Sequence, residues 1–439
     1  MPGRYCLFDA SGRNTREGTF YRLSFAGPQI SDEREVASGF VERLEQAVTG
    51  QLAGSRMGVF VSGGMDSSSV LTFMRRHLPA AEIRSYSYRC AGESFDESPY
   101  AQAIATAMGS RHREVEYDES GALGIAAAVT EMDMPLSDVG LEMASWQLGR
   151  AAAGEVDVIL TGDGGDEMWA SHPVYAAQRL VQHYDTLPIP GAWRRALNEL
   201  TGRLHDSPRK RDWRVKIKRI LPPAGLPASL GPWRWRTYYE PEGLAALLQP
   251  DWAHAVSDLD PFACILEGFD GYDGPDDGMS AFIFNDYSRL LPFHFRRLDM
   301  VRHCGIEFRF PLYDRALIEF MARVPIRLKL EGIEQTKRLF RRAMEGILPE
   351  VINGRSDKLG HSIPLKNWLR NGKHLPGQLA QTCSTEALCE RGLFRPESVN
   401  RLISEHLSGR HNHSHRIWAI HVLECWLRER EGRPVDSSP

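Results

Sequence analysis

Val59-Phe60-Val61-Ser62-Gly63-Gly64-Met65-Asp66-Ser67-Ser68-Ser69-Val70 reads as a buried strand that runs through a glycine turn into a helix. The apolar run from Met57 to Val61 suits a strand covered on both faces, and Gly63-Gly64 lets the backbone turn sharply and approach a ligand with no Cβ in the way. Asp66 to Ser69 then open a helix. Its free N–H groups and the positive end of its dipole make an anion site, to which the Ser62, Ser67 and Ser68 hydroxyls can add donors. Asp66 supplies a carboxylate where a magnesium-bound phosphate would sit. The loop is not of the Walker type, because Met65-Asp66 stand where that loop needs Lys and then Ser or Thr. Taken alone, the same residues also suit a plain glycine turn with serine caps.

A second loop narrows the choice. Val156-Asp157-Val158-Ile159-Leu160 is another short apolar strand, and it ends in Thr161-Gly162-Asp163-Gly164-Gly165-Asp166-Glu167. Ligands of open parallel sheets bind outside the carboxyl ends of the strands, so Asp66 and Asp166 are expected to face one crevice from two loops. The bland reading of this segment is an acidic surface turn.

Working outward, residues 57–61, 83–88, 112–117 and 156–160 read as strands separated by helical patterns at Ser67–His77, Ser98–Met108 and Glu142–Ala153. That alternation predicts an α/β fold, a parallel sheet with right-handed crossovers flanked by helices. Residues 281–430 read mainly as helices beside the crevice. Between them lies an eccentric basic segment, Arg203 to Arg219 followed by Trp233-Arg234-Trp235-Arg236. Basic residues with interleaved aromatics can hold RNA, a peptide or an acidic substrate, although a solvated amphipathic helix explains them as well.

Composition sets outer limits. The 439 residues are 42% hydrophobic and 25% charged, ordinary values for a globular protein, so wholesale disorder is not expected. A formal net charge of −4 gives no general reason to expect nucleic acid. No apolar run is long enough for a transmembrane helix, and the start of the chain does not read as a signal peptide. The seven cysteines are scattered and form no C-x-x-C pair, which disfavours a disulfide scaffold or structural zinc and points to a reducing cytoplasm. The alternating histidines His411, His413 and His415 are a weak ligand set without nearby cysteine.

Ser-Gly-Gly-x-Asp-Ser resembles the PP-loop of the ATP pyrophosphatases, whose fold is of the adenine nucleotide α-hydrolase type. With the second loop, the chain resembles the synthetase domain of the asparagine synthetase family, which also includes β-lactam synthetases and lasso-peptide cyclases. Further segments continue the likeness: Phe95-Asp96-Glu97, Met134-Pro135-Leu136-Ser137-Asp138, Gly305 to Asp314, Lys337 to Arg341, Arg355 to Pro364 and His415 to Ala419. The resemblance covers roughly residues 20 to 430 and its motifs are specific as an ordered set.

The resemblance implies a division into a short N-terminal segment (1–45), a PP-loop core (46–175), a basic and aromatic helical insertion (176–280) and a helical C-terminal part (281–439). It implies ATP and Mg²⁺, with Val61, Ser62, Gly63, Gly64, Asp66, Ser67, Ser68, Ser87, Gly162 and Gly164 at the nucleotide and Asp66 and Asp166 at the metal. The reaction implied is adenylation of a small-molecule or peptide carboxylate, then acyl transfer to ammonia or an amine. Lys358, in Arg355-Ser356-Asp357-Lys358-Leu359-Gly360, is similar to the family's transition-state lysine. One extra residue separates it from Arg355, which leaves the role of Arg355 open. Asp163 stands where relatives place a Glu or Tyr that helps to deprotonate the attacking nitrogen. It can serve as base if a neighbour raises its pKa, or it can orient the loop or metal. Only about 55 residues precede the loop and position 2 is Pro, so the chain alone is not expected to hydrolyse glutamine. A separate glutaminase or carrier is then a possible partner, and the product is expected in specialised-metabolite or peptide biosynthesis. The alternatives are ammonia-dependent asparagine synthesis, a PP-loop RNA-modifying enzyme, and a non-catalytic partner protein.

Overall fold

A computed structural model describes residues 3–54, 56–90, 96–186, 226–331, 335–355 and 363–433, with a few isolated positions besides. Its centre is a five-stranded parallel sheet: β3 (Met57–Phe60), β4 (Ile83–Arg89), β5 (Arg111–Glu116), β6 (Val158–Leu160) and β7 (Glu307–Arg309), ordered β5-β4-β3-β6-β7. β3 lies in the middle, with Met57 beside Ile83 on one flank and Val158 on the other. Its residues Met57, Gly58 and Val59 are buried, as a strand covered by helices on both faces requires. The strand order reverses beside β3, and the two glycine loops emerge there at the carboxyl ends of β3 and β6.

Helices cover the sheet as the alternation predicts. α1 (Glu33–Gly50) begins at Asp32, whose carboxylate accepts the Arg34 and Glu35 N–H groups at 2.9 and 2.8 Å. It buries Val36, Phe40, Leu44 and Val48, a stripe at four-residue spacing. α2 (Met65–His77) and α3 (Ser98–Met108) pack behind the first loop. Phe40 meets Trp169 and Phe340 edge-on at 5.0 and 4.9 Å, and Trp169 stacks on Phe340 at 5.4 Å. Aromatic pairs of this kind are worth about 0.5–1.5 kcal/mol beyond their burial. Here they fix the chain that follows β6 against the helix Arg338–Ala343, elements far apart in sequence. A second core joins helices 119–152 to the largely helical C-terminal part through Leu379, Trp418, Ile420 and Val422.

The structure departs from the sequence expectations in places. Glu307–Arg309, read as part of a helical region, is the fifth parallel strand: Glu307 N donates to Asp157 O at 2.9 Å and Thr161 N to Arg309 O at 3.1 Å. Three residues are too short to carry a periodic signal, and pairing with β6 decides the conformation. Glu307 and Arg309 also form an ion pair at the surface, with the Glu307 side chain 62% exposed. The N-terminal segment contains an unforeseen antiparallel hairpin, β1 (Arg4–Phe8) with β2 (Asn14–Thr19). In the insertion, Arg234 and Arg236 point inward to Gln178 and Asp286, so Trp233–Arg236 is not a basic surface. The Arg203–Arg219 stretch lies outside the described residues. Among those residues no helix is long and apolar enough to cross a membrane.

Candidate active site

The first loop leaves β3 held by Val61 N, which donates to Tyr86 O at 2.9 Å on β4. Gly63 has φ +70°, and a Cβ there would lie 2.3 Å from Tyr100 Cβ, so the turn needs glycine for both reasons. Ser67 Oγ accepts from Ser62 N at 3.1 Å, and Ser62 Oγ accepts from Gly64 N at 3.3 Å. These bonds curl residues 62–67 into a cradle. Gly64 caps α2 without any side-chain hydrogen bond, so no side chain competes for the N–H groups of its first turn. The Ser68 hydroxyl is buried and makes no hydrogen bond among the described residues. Ser87, at the end of β4, shares a 3.1 Å hydrogen bond with His112 Nε2 on β5.

The second loop is pressed onto the first. A Cβ on Gly162 would stand 2.5 Å from Ser67 N, and one on Gly165 would stand 2.1 Å from Asp66 Oδ1. Gly164 adopts φ +99° between them. Asp66 and Asp166 therefore reach the same point, and Lys337 lies between them. Its Nζ is 2.6 Å from Asp66 Oδ1 and 2.9 Å from Asp166 Oδ1. Lys337 is 4% exposed and has φ +62°, a left-handed conformation uncommon for a non-glycine residue. It follows the hairpin of β8 (Leu330–Glu331) and β9 (Gln335–Thr336) and opens the Phe340 helix, so the aromatic stack sets its position. Ser171 Oγ donates to Asp166 Oδ1 at 2.6 Å and fixes that carboxylate.

This donor set fits magnesium. Mg²⁺ is held by one or two carboxylates and completes its shell with water and phosphate oxygens, which two converging aspartates above an open helix N-terminus allow. Among the described residues no group of three or more His, Cys, Asp or Glu is poised to cage a metal by protein ligands alone.

Around the second loop lies a buried polar layer. Arg297 donates to Asp163 Oδ1 at 2.6 Å, and the Thr161 hydroxyl donates to Asp163 Oδ2 at 2.7 Å. Burial alone would raise the Asp163 carboxyl, but the Arg297 charge and these two hydrogen bonds outweigh it and hold it below the usual range. Arg297 and Thr161 thus favour the carboxylate form of Asp163. Glu167 behaves oppositely: burial, then Asp166 and Asp286, push it up to about 7. Arg236 binds both oxygens of Asp286 at 2.9 and 3.0 Å beneath it.

A model of the Asparagine synthase family matches residues 39–428. The chain belongs to the asparagine synthase family. It is 27% identical over 410 residues to a putative glutamine-hydrolysing asparagine synthetase of Mycobacterium tuberculosis, covering 92% of this chain and 59% of that protein. It is 21% identical over 413 residues to the glutamine-hydrolysing asparagine synthetase 1 of Bacillus subtilis, covering 93% and 61%. To amidase chyE of Penicillium rubens it is 23% identical over 416 residues, covering 84% and 58%. The chain thus spans about three fifths of the length of these relatives.

Within this family member, Arg355 acquires a clear place. It pairs with Glu97, donates to Gly63 O at 3.2 Å and lies 3.8 Å over the Tyr100 ring, with 7% exposure. It ties the C-terminal part to the first loop and ends where residues 356–362 begin. Lys358 lies outside the described residues. His413 pairs with Glu405 at 2.8 Å and His415 stacks on Tyr238 at 4.4 Å, contacts that serve packing. Lys337 is not marked as a site residue by the sequence. A lone lysine before Arg338-Leu339-Phe340 carries no spacing signal toward Asp66, 271 positions away.

Proposed function

We propose that this chain is an ATP-dependent carbon–nitrogen ligase that adenylates a carboxylate and passes the acyl group to ammonia or an amine. The observation that carries the reading is the convergence of Asp66, Asp166 and Lys337 beside the uncapped start of α2. Two carboxylates, an ammonium and free backbone N–H groups suit a magnesium-bound pyrophosphate leaving group better than they suit a structural core. Family membership and the synthetase names of its relatives support the same chemistry.

In this reading the carboxylate of a small molecule or peptide attacks the α-phosphate of ATP, and pyrophosphate departs into the Ser62–Ser68 cradle. Asp66 and Asp166 would hold Mg²⁺, which would neutralise charge on that leaving group when bound. Lys337 adds a fixed ammonium next to both carboxylates. Gly162 and Gly164 let the second loop approach the nucleotide, and Val61 and Ser87 border it from the ends of β3 and β4. In the second step an amine attacks the acyl carbon and AMP leaves. We assign the developing oxyanion to Lys358 and give Asp163, clamped by Arg297, the task of orienting the loop.

Ammonia-dependent asparagine synthesis is the second reading, favoured by the names of the relatives. One assay tests both. The protein is incubated with MgATP, hydroxylamine and a panel of carboxylates that includes aspartate and peptide acids, and phosphate products are followed. Pyrophosphate and AMP are expected; phosphate and ADP would overturn the ligase reading. Turnover with aspartate selects the second reading, and turnover only with larger acids selects a specialised-metabolite or peptide substrate.

A further inference from the structure

Resting on the ligase reading above, we propose that His294, oriented by Asp138, is the base that takes the proton from the attacking amine. Arg297 and Thr161 each hold one oxygen of Asp163 and stabilise its charged form, which makes it the weaker base. His294 stands one helical turn before Arg297, and the Arg297 guanidinium joins the two positions, donating to His294 O at 2.7 Å and to Asp163 at 2.6 Å. His294 Nδ1 lies 3.3 Å from Asp138 Oδ2. The contact is an ion pair without a hydrogen bond, and a carboxylate at that distance favours the ring form that carries its proton on Nδ1; Nε2 makes no hydrogen bond among the described residues. The imidazole is 29% exposed, against 23% for Asp163, 16% for Asp138 and 9% for Arg297.

Asp138 is itself held in place. Its N–H donates to Glu142 Oε2 at 2.9 Å, and Trp418 Nε1 donates to Glu142 Oε1 at 2.5 Å. A continuous chain therefore runs from the C-terminal helix Ser414–Arg430 to the second loop: Trp418, Glu142, Asp138, His294, Arg297, Asp163. The charged groups around the imidazole are Asp138, Arg297, Glu167 and Asp163. Burial alone would lower its pKa and Arg297 opposes protonation, but Asp138 outweighs them and sets it above the ordinary histidine value. A base with a pKa near working pH is the effective kind.

The step balances as follows. The amine nitrogen forms a bond to the acyl carbon, and its extra proton passes to His294 Nε2. The carbon–oxygen bond to AMP then breaks, its electron pair leaving on the phosphate oxygen, and the imidazolium returns its proton to solvent.

The test uses the full chain, MgATP and the carboxylate that gives pyrophosphate in the panel above. Carboxylate-dependent exchange of pyrophosphate with ATP and amide formation from ammonium chloride are measured separately. His294→Gln is expected to lower the ratio of amide formation to exchange by about 10² to 10³, and to remove the acid limb of the pH–rate profile once rates are expressed per free ammonia. Asp138→Asn should move that limb to lower pH, because the imidazolium loses its carboxylate. Hydroxylamine, unprotonated at neutral pH, should restore much of the His294→Gln loss. An unchanged ratio with the acid limb intact, or equal losses in both half-reactions, would overturn the assignment. Absence of pyrophosphate from the wild-type protein with every carboxylate would instead defeat the ligase reading, and this proposal with it.

Discussion

Lys337 Nζ lies 2.6 Å from Asp66 and 2.9 Å from Asp166, so one ammonium joins the carboxylates of two loops a hundred residues apart in sequence. Without it, two like charges would face each other in a site where Asp66 is 6% exposed. Lys337→Ala should therefore cost stability as well as activity, of the order of 3 kcal/mol as for a broken buried ion pair. Because Lys337 has φ +62°, Lys337→Gly should be more stable than Lys337→Ala by about 1 kcal/mol, although it lacks the same side chain. Urea unfolding of the two variants checks the order. The reverse ranking would mean that the backbone relaxes once the ion pair is gone.

Asp66→Asn and Asp166→Asn should each abolish carboxylate-dependent pyrophosphate release. Asp166, with 30% side-chain exposure, should keep the fold nearly intact, whereas Asp66→Asn also leaves buried Lys337 with a single carboxylate. Far-ultraviolet circular dichroism separates the two effects. Normal pyrophosphate release from either variant would contradict the magnesium assignment.

Gly165→Ala places a methyl 2.1 Å from the Asp66 carboxylate, and Gly162→Ala places one 2.5 Å from the Ser67 amide. Both should push the loops apart and depress ATP–pyrophosphate exchange more than they depress global stability, since the clash is local to the crevice mouth. Gly154→Ala is a useful contrast: it has φ +75° but nothing within 4 Å of the added methyl, so only backbone strain of roughly 1 kcal/mol is expected.

Lys358→Ala is expected to lower turnover by about 10² to 10³ with little change in ATP affinity, the loss of one electrostatic group acting on developing charge. Lys358→Arg should rescue poorly, because a planar guanidinium does not replace a compact ammonium in a tight site. Unchanged turnover in the alanine variant would leave the oxyanion to another residue.

Lys329 offers a pH test remote from this chemistry. It is 3% exposed, and burial, opposed only by Asp277, pushes its amine down to about 7. The unfolded chain keeps that proton to about pH 10.4, so across the window from about 7 to 10 the unfolded state binds more protons. Stability contributed by this group must then rise with pH through the window. Lys329→Met should remove the rise and be more stable than wild type at pH 6. Parallel stability curves for the two proteins would show that Lys329 keeps its proton in the fold.

The sequence by itself determined the strand, turn and helix at 57–77, the parallel sheet, the two glycine loops and the meeting of Asp66 with Asp166. Each of these rests on local pattern: apolar runs, glycines where the backbone must turn, and carboxylates at strand ends. The fifth strand Glu307–Arg309, the inward Arg234 and Arg236, the pairing of Arg355 with Glu97, and the seat of Lys337 were decided by tertiary structure alone. A three-residue strand forms only when β6 offers its edge, and a buried arginine is identified by a partner such as Asp286, 50 positions away. The same holds for chemistry. Asp163 looks the same in sequence whether it is a base or a clamped anion, and the approach of Arg297, 134 residues later, which stabilises the charged form, is visible only in the tertiary structure.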